Sequence, residues 1–276
     1  MNKIIGIDVG GSTTKIVGFD CSDVACSRML SPMYVKASDQ IASVYGAFGK
    51  FTTTNTIDIS DVKKVMITGV GSQFIDNKLY GIDTCFLSEF ECVGRGGLYI
   101  SGYDKAIIVS MGTGTAYISV DGDKIMHEGG TGVGGGTLLG LANKMIGVRT
   151  FDNIIELAEK GNINNVNLTI GDISKNKISN MQGDITAANF GKISDVATHE
   201  DLALGIVTLV FEAIGMCAVF ASREKALKNV VLTGNLSKNN IGRRTFDMLE
   251  SIHDVKFTIP EKSDYATAIG AALAAK

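Results

Sequence analysis

Lys3-Ile4-Ile5-Gly6-Ile7-Asp8-Val9-Gly10-Gly11-Ser12-Thr13-Thr14-Lys15 opens the chain, and a related stretch, Ala106-Ile107-Ile108-Val109-Ser110-Met111-Gly112-Thr113-Gly114-Thr115-Ala116, returns near its middle. Each reads as a buried strand, a tight glycine turn with hydroxyls, and a second strand. Exposed backbone N–H groups in such turns form concave anion sites, and the missing Cβ lets a phosphate come close. Two such hairpins facing one another can hold a nucleoside triphosphate between two half-domains. Asp8 adds an oxygen donor suited to Mg²⁺.

Composition narrows the field. With 276 residues the chain buries substantial cores unaided, and its net charge of −3 with no long basic run gives no footing for nucleic acid. Cys21, Cys26, Cys85, Cys92 and Cys217 form an odd set without a C-x-x-C pair, which reads as reduced thiols packed as small hydrophobes. The first residues pattern as a strand, not a secretory signal. Leu202 to Ser222 is apolar and long enough to suggest a membrane span, but Glu212 sits at its centre. A helix buried inside a soluble domain is the expectation.

Along the chain the pattern predicts strand, turn, strand, then a helix over Ser38–Phe51 and a strand at Lys64–Thr68. A short strand at Asp83–Leu87 leads into a helix from about Glu89. The second half repeats the opening with strands at Lys105–Ser110, Ala116–Val120 and Lys124–Met126, a glycine-rich loop and a helix at Leu138–Met145. Later come strands at Val230–Leu236 and Val255–Ile259, and a helix at Tyr265–Ala275 whose small residues allow a very close neighbour. Asn162–Asn180 reads as a surface insertion. The boundary falls near Gly102–Asp104, giving halves at 1–103 and 104–276. Alternating strands and helices imply α/β layers with ligands at the turns beyond strand ends.

Gly129 to Gly136 contains six glycines directly before an apolar helix, which points to phosphate binding by N–H groups at a helix N-terminus. The spacing matches neither a Walker A loop nor the dinucleotide fingerprint. Asp8, between a buried strand and Gly10-Gly11, reads as a metal or water ligand. Lys15 fits a phosphate contact and an ordinary strand-end lysine equally. Glu89, at a strand-to-helix junction, fits a general base and a residue that merely complements the helix dipole. Of the three histidines only His127 lies beside a candidate site.

These motifs, with Val231-Leu232-Thr233-Gly234-Asn235, resemble the phosphate and adenosine motifs of the actin/hexokinase-type ATPases. Within them the chain resembles the type II pantothenate kinases over essentially its whole length. Glu89 to Tyr99 looks like the segment with that family's catalytic glutamate, Gly129 to Leu141 like its glycine loop, and Gly183 to Gly191 like a further signature. The resemblance implies an α/β fold of two ribonuclease-H-like domains with a nucleotide cleft between them. It implies a cytoplasmic, homodimeric kinase that uses ATP and Mg²⁺ on the 4′-hydroxyl of pantothenate, with coenzyme A or an acyl-CoA as feedback ligand and neither nucleic acid nor membrane as partner. Asp8 would position Mg²⁺; Gly10, Gly11, Ser12 and Lys15 would line the phosphates; Gly112, Thr113, Gly114 and Gly234 would border the nucleotide. Gly134, Gly135 and Gly136 would supply backbone donors. Glu89 would take the hydroxyl proton, and Thr113, His127 and Phe151 would touch the acceptor. Asp184 and Asn189 would shape the site.

Two positions depart from the family. His127 stands where it carries an arginine, exchanging a charged bidentate fork for an imidazole, with Lys124 near in sequence. Phe151 stands where a tyrosine is frequent and loses a hydroxyl. These leave open a kinase of the same fold for another small hydroxyl compound, an amino sugar or a pantetheine-like molecule. An ATP-driven activator of a dehydratase shares the fold, but its paired cluster cysteines are not evident.

Overall fold

In the computed structural model, residues 2–21, 26–36, 39–174 and 183–275 are described. The opening hairpin is β1 (Asn2–Val9) and β2 (Thr13–Cys21), antiparallel and in continuous register. β3 (Cys26–Met29) and β4 (Met33–Lys36) extend it along β2. After α1 (Gln40–Thr54) come β5 (Val62–Thr68), β6 (Lys78–Leu79) and β7 (Ile82–Phe86), with β5 parallel to β1 and β7 parallel to β5. α2 (Glu89–Ser101) crosses to the second half.

The second half begins with β8 (Lys105–Met111), β9 (Thr115–Asp121) and β10 (Lys124–Thr131), an antiparallel meander. Next are α3 (Gly135–Ile146), α4 (Phe151–Ala158), β11 (Leu168–Thr169), α5 (Ile170–Ile173) and β12 (Thr186–Ala188). The long α6 (His199–Lys225), β13 (Asn229–Thr233), α7 (Asn240–Ile252), β14 (Lys256–Thr258) and α8 (Ala266–Leu273) complete it. β13 lies parallel to β8, and β14 parallel to β13.

The two sheets share one topology. β3-β2-β1-β5-β7 and β10-β9-β8-β13-β14 are each an antiparallel meander extended by two parallel strands. Both opening hairpins are buried on two faces by strict alternation. Ile5, Ile7 and Val9 face the core under α1, while Gly6 faces α8. Ile107, Val109 and Met111 face the core under α3 and α6, while Ala106 and Ile108 face α2.

α2 and α8 form the middle layer, and glycine lets them touch. A Cβ on Gly96 would lie 1.8 Å from the Ala266 carbonyl oxygen, and one on Gly270 1.8 Å from that of Cys92. The small-residue helix read in the sequence has α2 as its close neighbour. It also packs on Val17 and Phe19 of the first sheet, although it follows the second sheet in sequence.

α6 is long and apolar enough to cross a membrane, yet it is the central helix of the second core, with Ile206, Val207, Val210, Phe211 and Ile214 fully buried. Thr198 caps it reciprocally with Asp201. Glu212 is accounted for: Thr186 and Asn189 donate to its two oxygens at 2.8 Å each. Of the expected insertion at 162–180, residues 175–180 lie outside the described residues. Against the reading of five reduced cysteines, Cys21 is in a disulfide, while Cys85, Cys92 and Cys217 are free thiols.

Candidate active site

The two glycine turns face each other across a cleft of about 550 Å³ lined by both hairpins. Each turn closes on itself: Gly10 N–H donates to the Thr13 carbonyl at 3.0 Å, and Gly112 N–H to the Gly114 carbonyl at 2.9 Å. The amides of Gly11, Ser12 and Thr113 have no hydrogen-bond partner among the described residues, and a Cβ on Gly11 would meet nothing within 4 Å. Free amides in an open turn are what an anion requires.

Asp8, Gly10, Gly11, Ser12, Lys15, Glu89, Gly112, Thr113, Gly114, His127 and Gly234 all line this cleft. Asp8 is the penultimate residue of β1 and the register partner of Lys15 on β2. Burial pushes the Asp8 carboxyl up to about 6, with Lys15 opposing the rise and Glu89 adding to it. Lys15 is only 8% exposed, and burial lowers its pKa, opposed by Asp8, Asp264 and Glu89. Glu89, first residue of α2 behind Ser88, is also raised by burial, with Lys15 pulling it down. Two carboxylates and one ammonium thus meet at the junction of the halves.

Gly69 leaves room for a cation at Asp8. It holds φ at +91°, and a Cβ there would stand 2.7 Å from Asp8 Oδ1. One accessible carboxylate beside free phosphate donors suits Mg²⁺, which keeps most of its waters and shares phosphate oxygens. Gly234, also at φ +91°, closes the other side; a Cβ there would strike the Met111 carbonyl at 2.4 Å.

Two groups of residues expected at the site are placed differently from the rest. The N–H groups of Gly134, Gly135 and Gly136 are already engaged, by Thr137 Oγ1 at 3.3 Å and by the Gly112 and Thr113 carbonyls at 2.9 Å. In this conformation they are not phosphate donors. Their lack of side chains instead lets α3 press onto the second turn, where a Cβ on Gly134 would sit 2.6 Å from the Thr113 carbonyl oxygen. Phe151 is outside the cleft as well. It starts α4 and lines a separate depression with Asp152, Ile155, Glu156, Lys238, Asn239 and Asn240.

The cleft also holds residues to which the sequence reading gave no role, Val70 beside Gly69, Phe90 after Glu89 and Thr267 from α8, together with Gly130 to Gly132 of the expected phosphate loop. β10 runs on through Thr131, so Gly130 and Thr131 are strand residues. The positive φ at Gly69 is signalled by Gly69-Val70-Gly71 after a strand; nothing local marks Phe90 or Thr267. Asp184 and Asn189 do not line the cleft. Asn189 instead joins Asn167 and Glu212 in a hydrogen-bonded network.

Residues 105–273, from β8 to the end of α8, match the Fumble family. The chain belongs to the Fumble family. Among curated proteins it is similar to the type II pantothenate kinase of Bacillus cereus (strain G9842), 28% identical over 251 residues, covering 87% of this chain and 86% of that one. It is also similar to the type II pantothenate kinase of Staphylococcus aureus (strain USA300), 26% identical, covering 97% of each. The Fumble-family chain shares its fold with solved structures at lower identity. The activator of the 2-hydroxyisocaproyl-CoA dehydratase from Clostridium difficile with bound ADPNP superposes with a TM-score of 0.69 at 19% identity, covering 99% of this chain and 94% of that one. A ROK family glucokinase from Streptomyces griseus, in complex with glucose and AMPPNP, gives 0.60 at 14% identity, covering 99% of each. The fold is therefore of the actin/hexokinase type.

Proposed function

We propose that this chain is an ATP-dependent kinase that phosphorylates the 4′-hydroxyl of pantothenate. One observation carries the reading: Glu89, raised by burial and restrained by Lys15, lies in the same cleft as two opposed glycine turns with free amides. The names of its relatives supply the acceptor.

The amides of Gly11, Ser12 and Thr113 and the Lys15 ammonium hold the triphosphate. Asp8 would hold Mg²⁺, which neutralises phosphate charge when bound. Glu89 accepts the acceptor's hydroxyl proton as that oxygen bonds to the γ-phosphorus and the bond to the ADP oxygen breaks. Phosphoryl transfer needs alignment and charge neutralisation more than covalent help, and these residues supply both. In this reading the depression at Phe151, which includes Lys238 four residues past Gly234, takes the nucleoside end and not the acceptor. Action in the cytoplasm, as a homodimer under feedback by coenzyme A or an acyl-CoA, belongs to the same reading.

The dehydratase-activator alternative needs reactive thiolates. Cys92 is fully buried under α8, and burial pushes its thiol up to about 12, against thiolate chemistry. Iron in the purified protein would reverse that judgement.

The test is ADP release with pantothenate, ATP and Mg²⁺, for the wild type and Glu89→Gln. The wild type should turn over only with the acceptor present. The variant should lose roughly 10²–10⁴-fold in kcat while binding ATP as before. Equal turnover in both would remove Glu89 from the mechanism.

A further inference from the structure

Phe90 and His127 lie face to face, ring centroids 3.9 Å apart and planes inclined by 5°. They come from opposite halves. Phe90 follows Glu89 in the first turn of α2, and His127 sits on β10 where the pairing with β9 shifts register. Both rings line the nucleotide cleft, and both also line an outer groove with Glu91, Arg95 and Asp123. The stack is therefore the wall between cleft and groove. Glu128, the next residue of β10, is fixed by Ser119 and by Lys225, whose Nζ is 2.8 Å from its carboxylate. The strand is pinned beside His127, yet the imidazole has no hydrogen bond to any described residue. Its face lies on Phe90, and its ring nitrogens are open to a ligand.

We propose that Phe90 is a positioning residue: it holds the His127 imidazole in one plane, so that a ring N–H is presented to the acceptor in the cleft. This deepens the kinase reading above and rests on it. A face pressed on an aromatic ring leaves only the imidazole edge for polar contact, in one fixed plane. One N–H in a plane recognises a carboxylate and a neutral amide carbonyl alike, unlike a guanidinium fork.

A double-mutant cycle tests this with Phe90→Leu, His127→Ala and the pair, reading acceptor KM and ATP KM separately. Phe90→Leu should raise acceptor KM about 5- to 10-fold, the weight of one hydrogen bond, and leave ATP KM within about twofold. Phe90→Tyr should restore it. The double variant should be no worse than His127→Ala, because Phe90 acts through His127. Additive losses, or an equal rise in ATP KM, would show that Phe90 merely supports α2 and would overturn the proposal. NMR of the three histidines gives a readout that needs no turnover: the His127 ring protons should shift in Phe90→Leu as the ring current is lost. An unmoved signal overturns the stack itself. A shifted signal in a protein that does not phosphorylate pantothenate overturns the acceptor assignment and leaves the stack standing.

Discussion

Asp8 and Lys15 face each other in register across the first hairpin, so a carboxylate and an ammonium end side by side at the base of the cleft. Each is pushed toward neutrality by burial and held back by the other. Such a pair is completed from outside. In the proposed reading a phosphate would relieve the lysine and a divalent cation the aspartate, so a metal–nucleotide complex would supply the counter-charges of the two groups that burial penalises.

The same lysine sets the pH response. Burial raises Glu89 above the usual carboxylate value of 4.5, and Lys15 pulls it down. A general base works only when ionised, so activity should fall with acid through a midpoint above 4.5. Removing the ammonium in Lys15→Met removes the lowering influence on both Glu89 and Asp8. The acid limb of kcat/KM must therefore move to higher pH, whatever happens to its height. A pH–rate profile with the limb unmoved, or displaced toward acid, would contradict this electrostatic picture.

Gly69 should tolerate no side chain. Its φ of +91° costs an L-residue about 1–2 kcal/mol, and the new Cβ would press on Asp8 Oδ1 at 2.7 Å and the Val9 carbonyl at 2.6 Å. Gly69→Ala is expected to weaken Mg²⁺-dependent ATP binding more than ATP binding without metal, together with a fall in Tm. Calorimetric titration with and without Mg²⁺ measures the difference; equal losses would mean that Asp8 is not involved.

The α2–α8 crossing makes a claim about stability alone. Gly270→Ala would place a methyl carbon 1.8 Å from the Cys92 carbonyl oxygen, backbone that cannot yield without separating the helices. A loss of more than about 3 kcal/mol is expected, in the range of severe overpacking. Urea unfolding decides it, and a gain of about 1 kcal/mol, the helix-propensity effect of Gly→Ala alone, would show that the helices are not held this close.

Much of this was legible in the sequence because it is local. Strand, glycine turn and strand recur at Lys3 and at Ala106, and the residues that the turns carry do converge on one cleft. Small residues in α8 foretold a close neighbour. What escaped notice depends on partners distant in sequence. Glu212 is an anomaly in an apolar helix until Thr186 and Asn189 are seen to donate to it. Phe90 is an ordinary helix residue until His127 stacks on it. The glycines at 134–136 fit a phosphate loop equally well in sequence; only the carbonyls of Gly112 and Thr113, brought up by the fold, show where their amides go.

Phe151 gives the last test, because the resemblance and the proposed reading give it to different ligands. The resemblance set it against the acceptor, yet its ring lies outside the cleft, in a depression bounded by Lys238, Asn239 and Asn240. That depression is reached along the chain from Gly234, which lines the cleft itself. An extended nucleotide with its phosphates between the turns can run that way, and an aromatic ring at its end suits a flat base, whose stacking is worth about 1–3 kcal/mol. Phe151→Ala should therefore raise ATP KM roughly 5- to 100-fold and leave acceptor KM close to wild type. The reverse pattern, with acceptor KM raised and ATP KM steady, would return Phe151 to the acceptor and require a different path for the nucleotide.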